Sequence, residues 1–554
     1  MNAIGREILG LHEAAYLLAL FAAMSLVLAL VRDKLLAFAF GAGHTLDIYY
    51  AAFRIPDFLF ASVGSLVSAS ILLPYFIERF ERSRQEGRAF SDSIFTVFFG
   101  LMAVAAGVAY FIAPWLVPLV IPGFDHDPSL PQLITTMRIM LLSPFFLGLS
   151  NLYSSLTQMH HRFLVYAASP VVYNAGIIIG VVGLYPIFGI PGLALGVAIG
   201  AIFHVGIQVP FMTGEGLLPR FTRKIDWTDT RKIALSSLPR TITLSANQLA
   251  SFVLVSMASL MATGSIAVFN FAFNLQSVPL TLIGASYSSA VFPTLSRLLF
   301  KGDTKEFLEK MVASAQHIIF WSMPLTVLFI VLRAQIVRTV LGAGAFDWAD
   351  TRLVAAALAI FVISTIGQSL IVLFVRGFYA EGKTSRPLLI NAVSATGIVA
   401  LGFALWKMFE AWPVFRFFLE DLFKVDGQVG TSVLVLALAY TLGVILNTFL
   451  HWWVFARHYK GFTRPVLETL FHSFAASVIM GYAAYLSLRI FAGVFPLTKV
   501  WGVFMQGFCS GLIGLVVLVL VLIILRNKEL ATVWRTLHHK IWGAAVPPAE
   551  VEHM

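Results

Sequence analysis

Residues 31–74 read VRDKLLAFAFGAGHTLDIYYAAFRIPDFLFASVGSLVSASILLP. Most of this stretch is apolar enough for a lipid bilayer. It nevertheless holds Arg32, Asp33, Lys34, Asp47, Arg54 and Asp57. A charge at the centre of a membrane helix costs roughly 2.5–3.5 kcal/mol on insertion scales, so such residues face a cavity or a partner. The stretch therefore reads as the polar lining of a transport cavity.

The surrounding chain supports a membrane setting. It has 554 residues, of which 59% are hydrophobic and only 12% charged. A soluble protein of this length carries roughly twice that charged fraction. Apolar runs of about 20 residues recur, each long enough to cross a hydrocarbon core of about 30 Å. A β-barrel shows short alternating segments instead. The expected fold class is an all-α polytopic membrane protein. The first apolar run, Ala14 to Leu30, is too long for a cleavable signal peptide and has no small-residue cleavage site. The single cysteine, Cys509, excludes an intrachain disulfide.

Fourteen apolar spans are expected. They lie near 13–36, 47–76, 92–114, 132–158, 163–184, 187–212, 234–261, 264–296, 309–334, 350–378, 387–408, 431–456, 467–490 and 499–525. The loops between them alternate in charge. The second carries Arg79, Arg82, Arg84 and Arg88, whereas the third has Asp125 and Asp127 and no Lys or Arg. Arg6, the even-numbered loops with Lys310 and Arg376 at the span ends beside them, and the tail together hold 25 of the 38 Lys and Arg residues. The positive-inside rule makes that side cytoplasmic and places both termini there. The net charge of +10 is thus topological rather than a sign of nucleic-acid binding. Residues 406–430, with FFLEDLF, suit an amphipathic interfacial helix, and WRTLHHKIW at 534–542 suits a basic face on anionic lipid.

The chain also repeats itself. AFRIPDF…SASILLP at 52–74 resembles AFNLQSV…SSAVFP at 272–293, with Pro74 and Pro293 219 residues apart. SPVVYN at 169–174 resembles RPLLIN at 386–391, with Pro170 and Pro387 217 apart. Two matches at nearly one offset imply a duplicated six-helix unit, both copies in one orientation, related by a pseudo-two-fold along the membrane normal. Such paired bundles place a substrate site between them. The expected division is an N-terminal lobe at 1–213, a cytoplasmic linker at 214–233, a C-terminal lobe at 234–458, two added helices at 459–525 and a cytoplasmic tail at 526–554.

At FGAG (40–43), Asp47 and AFRIPD (52–57) the sequence resembles the MurJ/MviN family. These are lipid II flippases of the multidrug/oligosaccharidyl-lipid/polysaccharide exporter superfamily. The fourteen spans, the duplication and the Asn151…Pro170…Asn174 region extend the resemblance over the whole chain. It implies a two-lobed transporter in the bacterial cytoplasmic membrane, with no catalytic site. Its substrate would be an undecaprenyl-pyrophosphate-linked peptidoglycan precursor, flipped to the outer leaflet. Membrane lipids and cell-wall synthesis proteins are the implied partners, and the implied state is a monomer. Arg32, Asp47 and Arg54 match charged family positions. Two family arginines are replaced, by Phe60 and by Asn274. A family sodium site pairs an Asn with an acidic residue one turn later; Asn391 is present here, but Ala395 takes the acidic place. The resemblance therefore implies no cofactor and does not carry sodium coupling over.

Arg32 and Arg54 suit a pyrophosphate, because guanidinium forks fit phosphate oxygens. The alternative is an intramembrane ion pair with Asp47 or Asp33. Asn274 is the expected substrate contact on span 8. Asp33, Asn247, Gln248, Gln276 and Asn391 are further polar cavity positions. The amides of Asn247, Gln248, Asn274 and Gln276 bond either helix to helix or to sugar and peptide. Lys34 and Asp57 read as interfacial, and Arg240 as an end anchor or gate residue. The turn GFDHDP (123–128) offers Asp125, His126 and Asp127, but three adjacent residues rarely converge on one metal ion. Two other readings stay open: an exporter of another polyprenyl-linked oligosaccharide or of small drugs, and a membrane glycosyltransferase or ligase. The topology has a direct test. Reporter fusions after Glu86 and Thr222 should be cytoplasmic and one after His126 periplasmic; a cytoplasmic His126 overturns the map.

Overall fold

A computed structural model describes residues 11–67, 69–160, 162–527, 529–531 and 534. Arg6, the tail motif beyond Trp534, and the side chains of Arg240 and Asn247 lie outside the described residues. The described residues are all-helical. In order, α1 is Leu11–Phe40, α2 His44–Ala52, α3 Arg54–Ser62, α4 Ala69–Arg82 and α5 Arg84–Val120. Next come α6 Leu130–Met159, α7 Phe163–Phe188 and α8 Ile190–Gly214. The second half holds α9 Trp227–Ser259, α10 Ser265–Phe300, α11 Thr304–Val331, α12 Arg333–Val340, α13 Trp348–Ala380, α14 Ser385–Ala411, α15 Pro413–Phe423 and α16 Val433–His458. The chain closes with α17 Thr463–Ala492 and α18 Val500–Ile524.

Eleven of these helices are long and apolar enough to cross a membrane. The other three expected spans are helical as well: α1, α9, and a second span broken into α2, α3 and α4. Phe53 separates α2 from α3, and a short 3-10 turn, Gly64–Val67, separates α3 from α4. The connection between the ninth and tenth expected spans is partly helical, as α12.

Four long helices begin on one local device. Ser83, Asp226, Asp303 and Asp347 each accept a hydrogen bond from the backbone N–H three residues on, at Glu86, Asp229, Glu306 and Asp350. The first-turn N–H groups have no helical partner, and the capping oxygen satisfies one while favouring the dipole.

The two halves pack alike. α1 lies on α7 and α7 on α8, just as α9 lies on α14 and α14 on α16. α6 packs on α8 as α13 packs on α16. This is the arrangement a duplicated six-helix unit produces. The α17–α18 hairpin sits outside it, with α17 on α11 and α18 on α12.

Close approach between α7 and α8 depends on glycine. GIIIG (176–180) faces GLALGVAIG (192–200). An added Cβ at Gly196 would lie 2.4 Å from the Gly180 Cα, and one at Gly200 2.5 Å from the Tyr173 carbonyl oxygen. In lipid, small residues of this kind let backbones meet and gain van der Waals contact. Overpacking costs about 1–3 kcal/mol, so Gly196→Ala should lower the thermal unfolding midpoint in detergent. Gly183→Ala should not, since its Cβ meets only an Ile179 methyl at 3.9 Å. Equal midpoints for the two variants would refute the glycine-dependent packing.

Candidate functional site

The charges of residues 31–57 gather where the two halves meet, near the end of the bundle that carries the Gly41–Gly43 turn. That turn needs glycine: Gly41 has φ +60°, and a Cβ there would lie 2.8 Å from the Ala345 carbonyl oxygen. With the chain reversed at this point, α2 runs back beside the start of α10.

Asp47 sits one turn into α2 and is 5% exposed. Its two carboxylate oxygens accept from backbone N–H groups of the other half: Gly264 at 2.5 Å and Ala267 at 2.9 Å. Asp47 therefore caps α10 from outside. The positive end of the helix dipole and two orphan donors meet a full negative charge. The sequence offers Asp47 as a substrate-site residue or as the ion-pair partner of an arginine. In this conformation both of its oxygens are taken by the cap, and it pairs with no arginine among the described residues.

Further bonds close the same end. The Ala345 N–H donates to the Phe38 carbonyl at 2.9 Å, and the Ala42 N–H to the Asp350 carboxylate at 3.1 Å. The Gly123 N–H donates to the Ser259 hydroxyl, and Lys34 donates to the Thr339 carbonyl at 2.9 Å. Lys34 thus ties the two halves together. In the GFDHDP turn, Asp127 accepts from the Ser129 hydroxyl and N–H. Those two bonds, with His44 adding a smaller effect, hold its carboxyl below the usual range. No cluster of three or more metal-ligating side chains occurs among the described residues.

Deeper lies a polar chain across the junction. Arg32 grips one oxygen of Asp33 with Nε and Nη2, at 2.9 and 2.8 Å. Its Nη1 donates to the Asn174 amide oxygen on α7 at 3.1 Å. The other Asp33 oxygen accepts from the Asn274 amide on α10 at 3.1 Å. The series Asn174–Arg32–Asp33–Asn274 therefore links the two halves. The ion pair weighed for Arg32 is made with Asp33, not Asp47.

Arg54 stands apart. It is 7% exposed, yet among the described residues it makes no ion pair within 4.0 Å. Nε donates to the Tyr50 carbonyl at 3.2 Å, and Nη2 to the Asn270 amide oxygen on α10 at 2.9 Å. Asp57, one turn on, contributes only a longer-range attraction. Nearby, the Tyr50 hydroxyl is buried without a hydrogen-bond partner. Asn270 was not singled out from sequence. Its signal was present, since Asn270 and Asn274 lie one turn apart on one face of α10.

Depths also differ from expectation. Arg32 lies eight residues before the end of α1 and Arg54 ten residues after the start of α2. At 1.5 Å per residue these are about 12 and 15 Å from the turn end, with Asp47 only about 5 Å in. The two arginines are near one level, and Asp47 is not between them. Spacing along the sequence, with span 1 ending near residue 36, would set Arg32 nearest the turn end and Asp47 between the two arginines in depth; α1 instead runs unbroken to Phe40.

The remaining candidates lie elsewhere. Gln276 accepts from Thr365 and Gln368 within the second half. Asn391 accepts from Asn447 at 3.0 Å. Gln248 is half-buried on α9, and the Phe60 ring packs beside Gly64. Asp33, Asp47 and Arg54 are buried in this conformation, so they form a closed junction rather than an open cavity wall.

This architecture has known relatives. The model of a family described as "Lipid II flippase MurJ" matches residues 36–505. A lipid II flippase MurJ of Burkholderia cenocepacia is 26% identical over 378 residues, covering 67% of this chain and 73% of that one. A probable lipid II flippase MurJ of Rhizobium meliloti is 23% identical over 478 residues, 85% of each. In structure, the chain is similar to a lipid II flippase MurJ in an inward closed conformation, with TM-score 0.73, 21% identity, and 92% and 99% coverage. It is also similar to an inward-facing MATE transporter of the MOP superfamily, with TM-score 0.62, 11% identity, and 78% and 94% coverage. A family match spanning this much of the chain, together with this fold, places it in the lipid II flippase MurJ family.

Proposed function

We propose that this chain flips lipid II, a pyrophosphate-linked peptidoglycan precursor, from the inner to the outer leaflet of the bacterial cytoplasmic membrane. The observation that carries the reading is Arg54. A buried guanidinium with only neutral acceptors is costly unless something charged replaces them. A pyrophosphate oxygen does so with better geometry, since the planar fork matches phosphate.

The mechanism follows from the contacts. The half built on residues 1–213 and the half built on 234–458 act as lobes, with both termini cytoplasmic. The closed end, locked by Asp47 and the Gly41–Gly43 turn, faces the periplasm. Head group enters from the opposite end and meets Arg54 and the Arg32–Asp33 pair at one level. Breaking the Asp47 cap and the Asn274–Asp33 bond lets the lobes part on the periplasmic side while the lipid tail stays in the bilayer. Sodium coupling is not part of this reading, since Ala395 stands one turn after Asn391 and supplies no charge.

Arg54→Ala should reduce lipid II flipping in reconstituted vesicles at least tenfold. A charged hydrogen bond is worth about 1.5–3 kcal/mol and each 1.4 kcal/mol is tenfold. Arg54→Lys should rescue only in part, and Asn274→Ala should impair less, as it removes one bond to the Asp33 carboxylate and leaves both arginines and the Arg32–Asp33 pair in place. Unimpaired flipping by Arg54→Ala at matched expression would sink the reading. Asp47→Asn tests the lock. Its amide can accept only through one oxygen, so the closed end should open more often. In a Cys509→Ala background, a cysteine at Ser256 beside the Val120 carbonyl should then react roughly tenfold faster with a membrane-impermeant maleimide. An unchanged rate would show that Asp47 does not hold this end shut.

A further inference from the structure

Outside the junction, α5 and α6 leave a cleft of about 690 Å³ on the flank of the bundle. Its floor is Ala103, Ala106 and Gly107, and its far wall Phe145 and Phe146. An added Cβ at Gly107 would meet nothing within 4 Å, so the floor is open space. Val104, Val108 and Phe111 beside it are exposed, so the cleft opens on a face that only lipid suits.

The cleft is polar at one end only. Arg138 stands eight residues into α6, about 12 Å from the closed end. Its Nε donates to the Tyr110 carbonyl at 3.0 Å, and its guanidinium lies 4.5 Å from the centre of the Tyr110 ring. Both contacts anchor the side chain without neutralising it, and among the described residues it has no ion pair. Neither 103–113 nor 130–146 contains an Asp or Glu. Exposed Trp115 and Tyr110 mark the level where aromatic rings meet head groups. From Arg138 and Tyr110 the apolar floor runs away from the closed end, towards the bilayer centre.

A cation at the end of a narrow apolar channel nearer the closed end matches the layout of a phospholipid. We infer that this cleft binds one anionic phospholipid, its phosphodiester on Arg138 and one acyl chain along Ala103, Ala106 and Gly107. Guanidinium supplies two parallel donors to phosphate oxygens. A free arginine that merely snorkels to the interface needs no channel beneath it. The inference is independent of the Arg54 reading, because Arg138 lies on the outer flank.

Native mass spectrometry of the full chain, exchanged from detergent into mixed phosphatidylglycerol and phosphatidylcholine, tests it. The wild type should retain one phosphatidylglycerol with at least tenfold preference over phosphatidylcholine. Arg138→Gln should lose that preference, and Arg138→Lys should keep part of it. Gly107→Phe, which fills the channel and leaves the charge, should lose retention of both lipids, and stands as the test should Arg138→Gln not fold. Equal retention by wild type and either variant, or no preference in the wild type, would overturn the site. Displacement by equimolar undecaprenyl phosphate would overturn its assignment to a phospholipid.

Discussion

The contact between the Asp47 carboxylate and the first backbone N–H groups of α10 governs the rest of the structure. The first turn of a helix leaves four N–H groups without partners, and in lipid no water is at hand to satisfy them. Asp47 meets two of them from the other half of the chain. A buried carboxylate is in turn tolerable only with charge-assisted donors. Each side therefore solves the other's desolvation problem, and the solution fixes where α2 stands against α10. Given that register, Arg54 must fall two turns deeper, opposite Asn270. The pairing has the geometry of a two-fold. Asp47 bonds Ala267, and Arg54 bonds Asn270 on the same helix, at separations close to the repeat spacing of the sequence.

The junction combines these polar bonds with apolar packing. One cluster runs from Leu36, Leu46 and Ala52 in the first half to Leu254, Ile266 and Phe271 in the second, and the Tyr50 and Phe271 rings meet edge to face across it. Other cores lie within one half, as around Phe374, Phe455 and Phe462 in the second. Packed cores resist continuous deformation, so motion between the halves proceeds between discrete arrangements. Opening the junction therefore costs apolar contact as well as hydrogen bonds.

Much of this was legible in the sequence. Apolar runs, basic loops and the two offset matches were enough for an all-helical, duplicated membrane fold, because span length and loop charge are set locally. The capping pairs Ser83–Glu86, Asp226–Asp229, Asp303–Glu306 and Asp347–Asp350 are readable in the same way. Arg32, Asp47 and Arg54 drew notice because charge in apolar sequence is expensive. Their partners were not readable. Whether Asp47 faces an arginine or a helix end depends on where α10 begins in space, and Gly264 is 217 residues away. The depth order failed for the same reason: spacing along the chain places residues on a helix but does not align two helices against each other. The Gly176–Gly200 contact is an intermediate case, since its small-residue pattern is plain in the sequence and its partner is not.

The two arginines then differ in a way that orders events. An anion arriving at Arg54 displaces a carbonyl and an amide oxygen, both neutral. It exchanges bonds in which only the donor is charged for bonds in which donor and acceptor both are, so capture is downhill. An anion arriving at Arg32 must displace Asp33, a partner of like charge already gripped at two points. That exchange is close to even, and the displaced carboxylate remains near as a competitor. Asp33 is also bonded to Asn274 of the other half, so whatever draws Arg32 from Asp33 acts directly on a bond that joins the lobes. In the proposed mechanism Arg54 therefore holds the head group, and the Arg32–Asp33 pair senses it and later expels it. Asn274 bonds Asp33 without adding a charge, whereas a cation at that position would hold Asp33 and the junction more tightly.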